Sequence, residues 1–244
     1  MINRIISLIV LVFVTTVVNA QDTKTILLKM DRTIFAIKDK KVDVEMIMIN
    51  LKNNKQKVKK AVLMQKGTDK KIFRYTEPKS DAGIATLSLP NGEVYLYLPM
   101  FKKPKKITNL AQKNSFNQSD FSLKDMATRP YSDEYIPSKI STSSKQYVLK
   151  LKPKDTNAAY SHLVVYINKS YFYPEKFEYF KAGQKVKESV YKYKKIGNYW
   201  VANSVSMKDI KKQHMTKLLM TNIKINQGLK DDIFTVDNLV SGKK

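Results

Sequence analysis

Val42-Asp43-Val44-Glu45-Met46-Ile47-Met48-Ile49 is the stretch on which the fold turns. Valine and methionine hold every second position, first against Asp43 and Glu45, then against Ile47 and Ile49. A period of two marks a strand, because successive side chains point to opposite faces of a sheet. Upstream the period is different. Leu27, Met30, Ile34 and Ile37 recur at helical spacing, with Asp22 or Thr23 placed to cap the start, and predict one long helix over 24–37. Downstream, strand-like runs continue over 58–64, 71–75, 84–89, 94–98, 147–151, 163–167, 176–180, 186–193, 200–207 and 215–225. Lys66-Gly67, Asn91-Gly92, Ala182-Gly183 and Gly197-Asn198 supply turn signals among them. No helix of crossover length separates the runs. A mainly β chain follows, with a single antiparallel sheet that curls as it grows around an apolar concavity, the 24–37 helix packed against it.

One stretch breaks the rhythm. Asn109 to Ile140 has few alternating residues and carries Pro130 and Pro137. Inside it, Ser122-Leu123-Lys124-Asp125 has the form of a capping box that opens a short helix. Phe116, Phe121, Leu123, Met126 and Tyr131 make it too apolar for a disordered excursion. A long irregular insertion in a β domain is commonly a lid or a binding loop. Phe116, Phe121, Leu123 and Met126 are therefore expected to form a lid over the cavity opening.

The start of the chain reads as a targeting segment. Met1 to Arg4 is a short cationic region, Ile5 to Val18 is almost wholly apolar, and Val18-Asn19-Ala20 places small residues ahead of Gln21. This is the pattern of a secretory signal cut after Ala20. Its apolar run of about 14 residues falls short of the roughly 20 that a spanning helix needs. The expected division is a signal peptide over 1–20 and one secreted domain over 21–244. The chain has no cysteine, which excludes disulfides, thiolate metal sites and lipid attachment after the signal.

Charge is lopsided. The formal net charge is +24, and loss of Arg4, the one charged residue of 1–20, leaves +23. Arginine appears only as Arg4, Arg32, Arg74 and Arg129, so almost all the positive charge is lysine. Base readout and bidentate phosphate clamps favour the planar guanidinium, whereas lysine is a hydrated point charge. A secreted lysine-rich surface suits anionic lipid headgroups better than nucleic acid. Two clusters stand out, 52–60 and the run Lys102, Lys103, Lys105 and Lys106. Solvated hairpin tips are the ordinary role of such runs.

Catalytic inventory is thin. His162 and His214 are the only histidines, and each reads as a surface turn residue. Seven glycines form no phosphate-cradling motif. Asp231-Asp232 are strand-adjacent carboxylates that would point apart, and they read better as the turned start of the Ile233-Phe234 segment. No cofactor, metal or catalytic residue is expected, and the chain is not read as an enzyme. What remains is apolar surface on both faces of some strands. Ile47 and Ile49 oppose Met46 and Met48, and Tyr95 and Tyr97 oppose Leu96 and Leu98. One face can take the helix, and the other needs a lid or a ligand, since large exposed apolar patches are rare in soluble monomers. Ten methionines add soft lining material. An ordinary two-layer core fits the same periodicity.

Several segments resemble a known family. Tyr95-Leu96-Tyr97-Leu98-Pro99, followed by the basic run and Ile107, resembles the WLYLP element of the outer-membrane lipoprotein-sorting proteins, the LolA-like half-barrels. Ser115 to Met126 is similar to that family's serine- and phenylalanine-bearing SFMGSDFS signature. Asn198-Tyr199-Trp200-Val201 is similar to its GRW strand start, and Asn222 to Asn226 with Asp232-Ile233-Phe234-Thr235 to its closing element. These segments follow the family order over most of the mature chain. Gln118, Lys106 and Ala202 stand where the family usually has glycine, arginine and proline.

The resemblance implies an incomplete barrel, a strongly curved antiparallel sheet with an N-terminal helix and a short helical lid on its concave side. It also implies a periplasmic carrier of lipid or lipoprotein acyl chains, acting as a monomer. The cavity and lid residues expected are Met46, Met48, Phe73, Leu87, Leu96, Leu98, Phe116, Phe121, Leu123 and Met126. Lys102, Lys103, Lys105 and Lys106 would dock on an anionic membrane surface or an inner-membrane transporter. The other reading is a periplasmic adaptor that docks on an envelope machine and carries nothing.

Overall fold

The computed structural model describes residues 20–108, 111–113, 115–126 and 129–242. All of the expected signal peptide except Ala20 lies outside the described residues. Helix α1 (Ala20–Ile34) leads into a meander of β1 (Asp39–Asn50), β2 (Gln56–Lys66), β3 (Lys70–Glu77), β4 (Ala85–Ser88), β5 (Val94–Tyr97) and β6 (Lys105–Ile107). A connection with two short helices, α2 (Leu123–Met126) and α3 (Tyr131–Glu134), follows. The second meander comprises β7 (Tyr135–Thr142), β8 (Gln146–Pro153), β9 (His162–Asn168), β10 (Pro174–Lys181), β11 (Gln184–Ile196), β12 (Tyr199–Asp209) and β13 (His214–Ile225). A 3-10 turn at Asp231–Phe234 and helix α4 (Val236–Ser241) come last.

All 13 strands belong to one antiparallel sheet in the order β6-β5-β4-β3-β2-β1-β13-β12-β11-β10-β9-β8-β7. The two meanders fuse where β1 meets β13, with Val44 opposite Met220 and Met46 opposite Leu218. The sheet is curved and not closed into a barrel. Its free edges, β6 and β7, are consecutive in the chain. The connection 108–134 therefore runs from one edge of the opening to the other.

Alternation decides which side chains face the concavity. Val42, Val44, Met46 and Met48 of β1 join Leu63, Phe73, Leu163, Phe177, Val205 and Leu218 in the main core. Leu27 and Met30 of α1 are fully buried in the same cluster. Phe116, Phe121, Leu123 and Met126 belong to it as well. Helix and lid thus share the concave face, as the family resemblance implied, where the apolar strand faces alone allowed the helix on one face and a lid or a ligand on the other. The other face carries a smaller cluster of Met64, Ile72, Ala85, Leu87 and Tyr97 under Phe234 and Leu239. Arg74 holds that cover in place, donating to the α4 carbonyls of Asn238 and Leu239 at 3.0 Å each.

Several boundaries differ from the sequence pattern: α1 already begins at Ala20, so Asp22 and Thr23 lie inside the helix and not at its cap. Helix α1 stops at Ile34, and Ile37 is buried beyond it. There the chain turns into β1: Lys38 N–H donates to Asn226 Oδ1 at 2.9 Å, and the Asp39 carboxylate accepts from Gln227 and Gly228 N–H at 2.8 and 3.0 Å. These bonds to the segment after β13 fix the chain as it enters β1. The end of the irregular insertion is strand β7. Its Pro137 pairs with Leu151 of β8, and on an edge strand the missing N–H costs no ladder bond. The expected turn at Ala182-Gly183 forms a two-residue hairpin with φ of 49° and 77°, the sign pattern of a type I′ turn.

Candidate functional site

A cavity of about 850 Å³ lies between the concave face and the connection 108–134. On one side its wall is aliphatic and aromatic, with Leu163, Phe177, Tyr191, Val205, Met207 and Leu218 from the five neighbouring strands β9 to β13. Charged residues line the remainder, among them Lys40, Lys71, Asp125 and Glu134. Tyr131 stacks on Phe177 with centroids 4.9 Å apart, and Tyr191 meets Phe177 edge-on at 5.7 Å. Burial pushes the Tyr131, Tyr179 and Tyr193 hydroxyls well above the ordinary tyrosine value, with neighbouring tyrosines adding to it. Trp200 and Tyr193 also line the cavity, with Tyr171 tilted against Trp200 at 4.7 Å and Tyr173 stacked on Tyr193 at 4.3 Å. Flat rings with one polar tip suit the boundary between an apolar interior and water.

The lid is built from local rules. Phe116 to Ser119 forms a tight turn in which Ser119 N–H donates to Phe116 C=O at 2.8 Å. Asn117 and Gln118 both have positive φ, 44° and 69°, so the turn is of the primed hairpin kind. Phe116 N–H donates to Phe121 C=O at 2.7 Å and closes the loop. The capping box then opens α2 as read from the sequence: Ser122 N–H donates to Asp125 Oδ2 at 2.8 Å, and Asp125 N–H donates to Ser122 Oγ at 3.0 Å.

One residue nails this loop to the sheet. The buried Asp120 carboxylate bonds His214 Nδ1 and accepts from Thr216 Oγ1, each at 2.7 Å. Asp120 N–H donates back to Thr216 Oγ1 at 3.0 Å, and Lys187 Nζ donates to Asp120 C=O at 2.6 Å. His214 is thus no free turn residue; it grips the lid. At the far end of the connection, the buried Asp31 of α1 accepts from Tyr131 and Ser132 N–H at 2.9 and 2.8 Å and so caps α3. Burial raises the Asp31 carboxyl above its ordinary value, opposed by those hydrogen bonds. His162 lies elsewhere, stacked on Phe180 at 4.4 Å, and its neighbour Ser161 donates its hydroxyl to Phe180 C=O at 3.0 Å.

The expected site residues separate into groups. Phe121 and Met126 line the cavity directly. Met46, Met48, Phe73, Phe116 and Leu123 sit in the core that surrounds it, Phe116 stacking on Tyr75 at 5.7 Å and edge-on to Phe73 at 5.4 Å. Leu96 is half-buried opposite Thr86, itself opposite Phe73, and Leu98 is half-buried just past β5. Leu87 is a correction. It pairs with Ile72, one residue out of step with Phe73, so the pleat turns it to the second cluster and away from the cavity.

The basic runs divide in the same way. Lys102, Lys103 and Lys105 are exposed, and Lys106 bonds Glu93 and lies over the Tyr95 ring. Lys52, Lys55 and Lys57 are exposed too. Lys59 is not part of that surface. It is buried on the concave side, 2.8 Å from Asp81, with its ammonium 3.4 Å from Asn117 C=O on the lid.

Comparison with known proteins follows from this architecture. A family model described as an uncharacterized protein matches residues 67–241. No curated protein matches the chain. Among solved structures, a domain described as an outer membrane lipoprotein-sorting protein from Vibrio parahaemolyticus superposes with a TM-score of 0.84 at 23% identity, over 91% of this chain and 100% of that one. A DUF1329 family protein from Desulfovibrio piger gives 0.81 at 19%, over 90% and 98%. A LolA superfamily protein from Nitrosomonas europaea gives 0.73 at 24%, over 88% and 98%. The chain belongs to the family of that model and has the LolA-like half-barrel fold of outer membrane lipoprotein-sorting proteins.

Proposed function

We propose that the protein is a periplasmic carrier that shelters the acyl chains of a lipid or lipoprotein in its cavity and moves them across the cell envelope. The observation that carries this reading is the cavity of about 850 Å³, walled on one side by aromatic and aliphatic side chains beneath a lid. The likeness in fold to a lipoprotein-sorting domain supports it. The work is physical. An acyl chain leaves a bilayer when each methylene finds equivalent apolar cover, worth about 0.8 kcal/mol per CH₂.

Magnitudes say how the lid would move. Phe116, Phe121, Leu123 and Met126 are all buried, and each contributes roughly 1.5–3 kcal/mol in that state. Lifting all four therefore costs about 6–12 kcal/mol, equal to roughly eight to fifteen methylenes. A chain of ordinary lipid length can match that cost, so cargo and lid side chains compete for one wall. Replacing Phe121 by aspartate should cut retained lipid several-fold while the circular dichroism of the sheet stays unchanged. A folded variant with unchanged lipid content would remove the lid from the account.

A further inference from the structure

At one end of the cavity the apolar alternation fails in a specific way. Lys40, Gln65, Lys71 and Ser88 sit opposite one another in β1, β2, β3 and β4, forming a single row across four strands. The row lies on the concave face. Each member is two residues from Val42, Leu63, Phe73 or Thr86, which form the next row on that face. Lys40, Gln65 and Lys71 all line the cavity, and so does Arg129 at the end of the lid. Arg129 approaches the row closely. A Cβ on Gly92 would stand 2.1 Å from Arg129 Nη2, so glycine at that position makes room for the guanidinium. Gly92 lies two residues before Val94, which pairs with Ser88 of the row.

Lysines in this region need not face inward. Lys66 and Lys70, on the outer face one residue away, share Asp231 at 3.1 and 2.7 Å. The inward pair lines the cavity. Burial pushes Lys40 down to about 8, and burial with the Lys40 charge pushes Lys71 down to about 7. Four carboxylates line the cavity as well, Asp125, Asp133, Glu134 and Asp155; Asp125 is held in the capping box, and Glu134 lies 3.5 Å from Lys124 and 3.9 Å from Arg129. An anion between these side chains would favour the charged forms of the two lysines and offer the guanidinium an acceptor.

We propose that Lys40, Lys71 and Arg129 form an anion site inside the cavity, which takes the phosphate or carboxylate headgroup of the lipid whose chain lies along the aromatic wall. The proposal rests on the carrier reading and adds to it a polarity: headgroup at the Lys40–Lys71 end, chain along Phe177, Tyr191 and Val205.

Trp200 is the only tryptophan and lines the cavity, so its fluorescence reports occupancy. The mature chain is titrated with palmitic acid and with 1-hexadecanol, which differ only in the headgroup, at a pH below both lysine values. Inorganic phosphate is titrated alone in a third arm. The acid should bind about tenfold more tightly than the alcohol, the scale of one charge-assisted hydrogen bond. Lys40→Met with Lys71→Met should make the two ligands equal by weakening the acid only. Lys40→Gln with Lys71→Gln repeats the test if the first pair does not fold. Equal binding in the wild type, or a preference that survives the substitutions, overturns the anion site and leaves the carrier reading standing. Phosphate binding without binding of either lipid overturns the headgroup assignment and the carrier reading together.

Discussion

Lys71 shows at single-residue resolution what an inward-facing lysine costs the fold. Folded, it gives up its proton near pH 7, because burial and Lys40 disfavour the charge. In an unfolded chain lysine keeps its proton to about pH 10.4. Between those values the unfolded state binds more protons, so stability rises with pH across that window, and the handicap of the buried charge is complete below it. Lys71→Met should therefore raise Tm most at about pH 6 and least at about pH 10.5. Each kcal/mol gained appears as about 2–4 °C in a chain of this size. Thermal unfolding followed by circular dichroism at the two pH values measures it. A variant less stable than the wild type at both would mean that Lys71 supports the fold. The sequence reading passed over the inward lysines, although a signal for them was there: Lys40 precedes Val42 by two and Lys71 precedes Phe73 by two, on the apolar register. The grip of Asp120 on His214 left no such signal, because 94 residues separate them and no local pattern links a turn to a strand end.

Among elements, the strands with clear alternation were read closely, and the failures fall where alternation is weak. β6 and β7 are the free edges, mostly exposed, so neither needs a buried face to declare it. The lid was visible as apolar residues without a period, and its capping box as a local motif. Periodicity alone did not fix which face it covers; helix and lid share the concave face, and the C-terminal segment covers part of the other. The lid's hold on the sheet passes through Asp120. Asp120→Ala removes the acceptor of the Thr216 hydroxyl and the partner of His214, a loss of about 1–3 kcal/mol. Hydrogen exchange should then quicken at the Phe116 and Ser119 amides, while the amides of β1 and β13 stay slow. Equal protection of the loop in variant and wild type would show that its apolar side chains alone hold it down.

At the scale of the whole molecule, the antiparallel register gathers the basic loops at one end. The β1–β2 turn at 51–55, the β3–β4 loop and the loop after β5 all leave the sheet on the same side, and Lys59 and Asp81 join the first two. Met100 and Phe101, 79% and 63% exposed, project there beside Lys102 and Lys103. Each lysine near an anionic bilayer contributes about 1 kcal/mol at physiological ionic strength. Co-sedimentation with anionic vesicles should weaken along a sodium chloride series, as the Debye length falls from about 10 Å at 0.1 M to about 3 Å at 1 M. Changing Lys102, Lys103, Lys105 and Lys106 to glutamine should weaken it further, and equal binding to neutral vesicles would make the charge a solvated surface only. The central claim is that the cavity holds an acyl chain, and native mass spectrometry of the purified mature protein tests it most directly. The account predicts a mass excess lost on denaturation, matched by acyl lipid in the organic extract; a mass equal to the bare polypeptide, with no lipid in the extract, would contradict it.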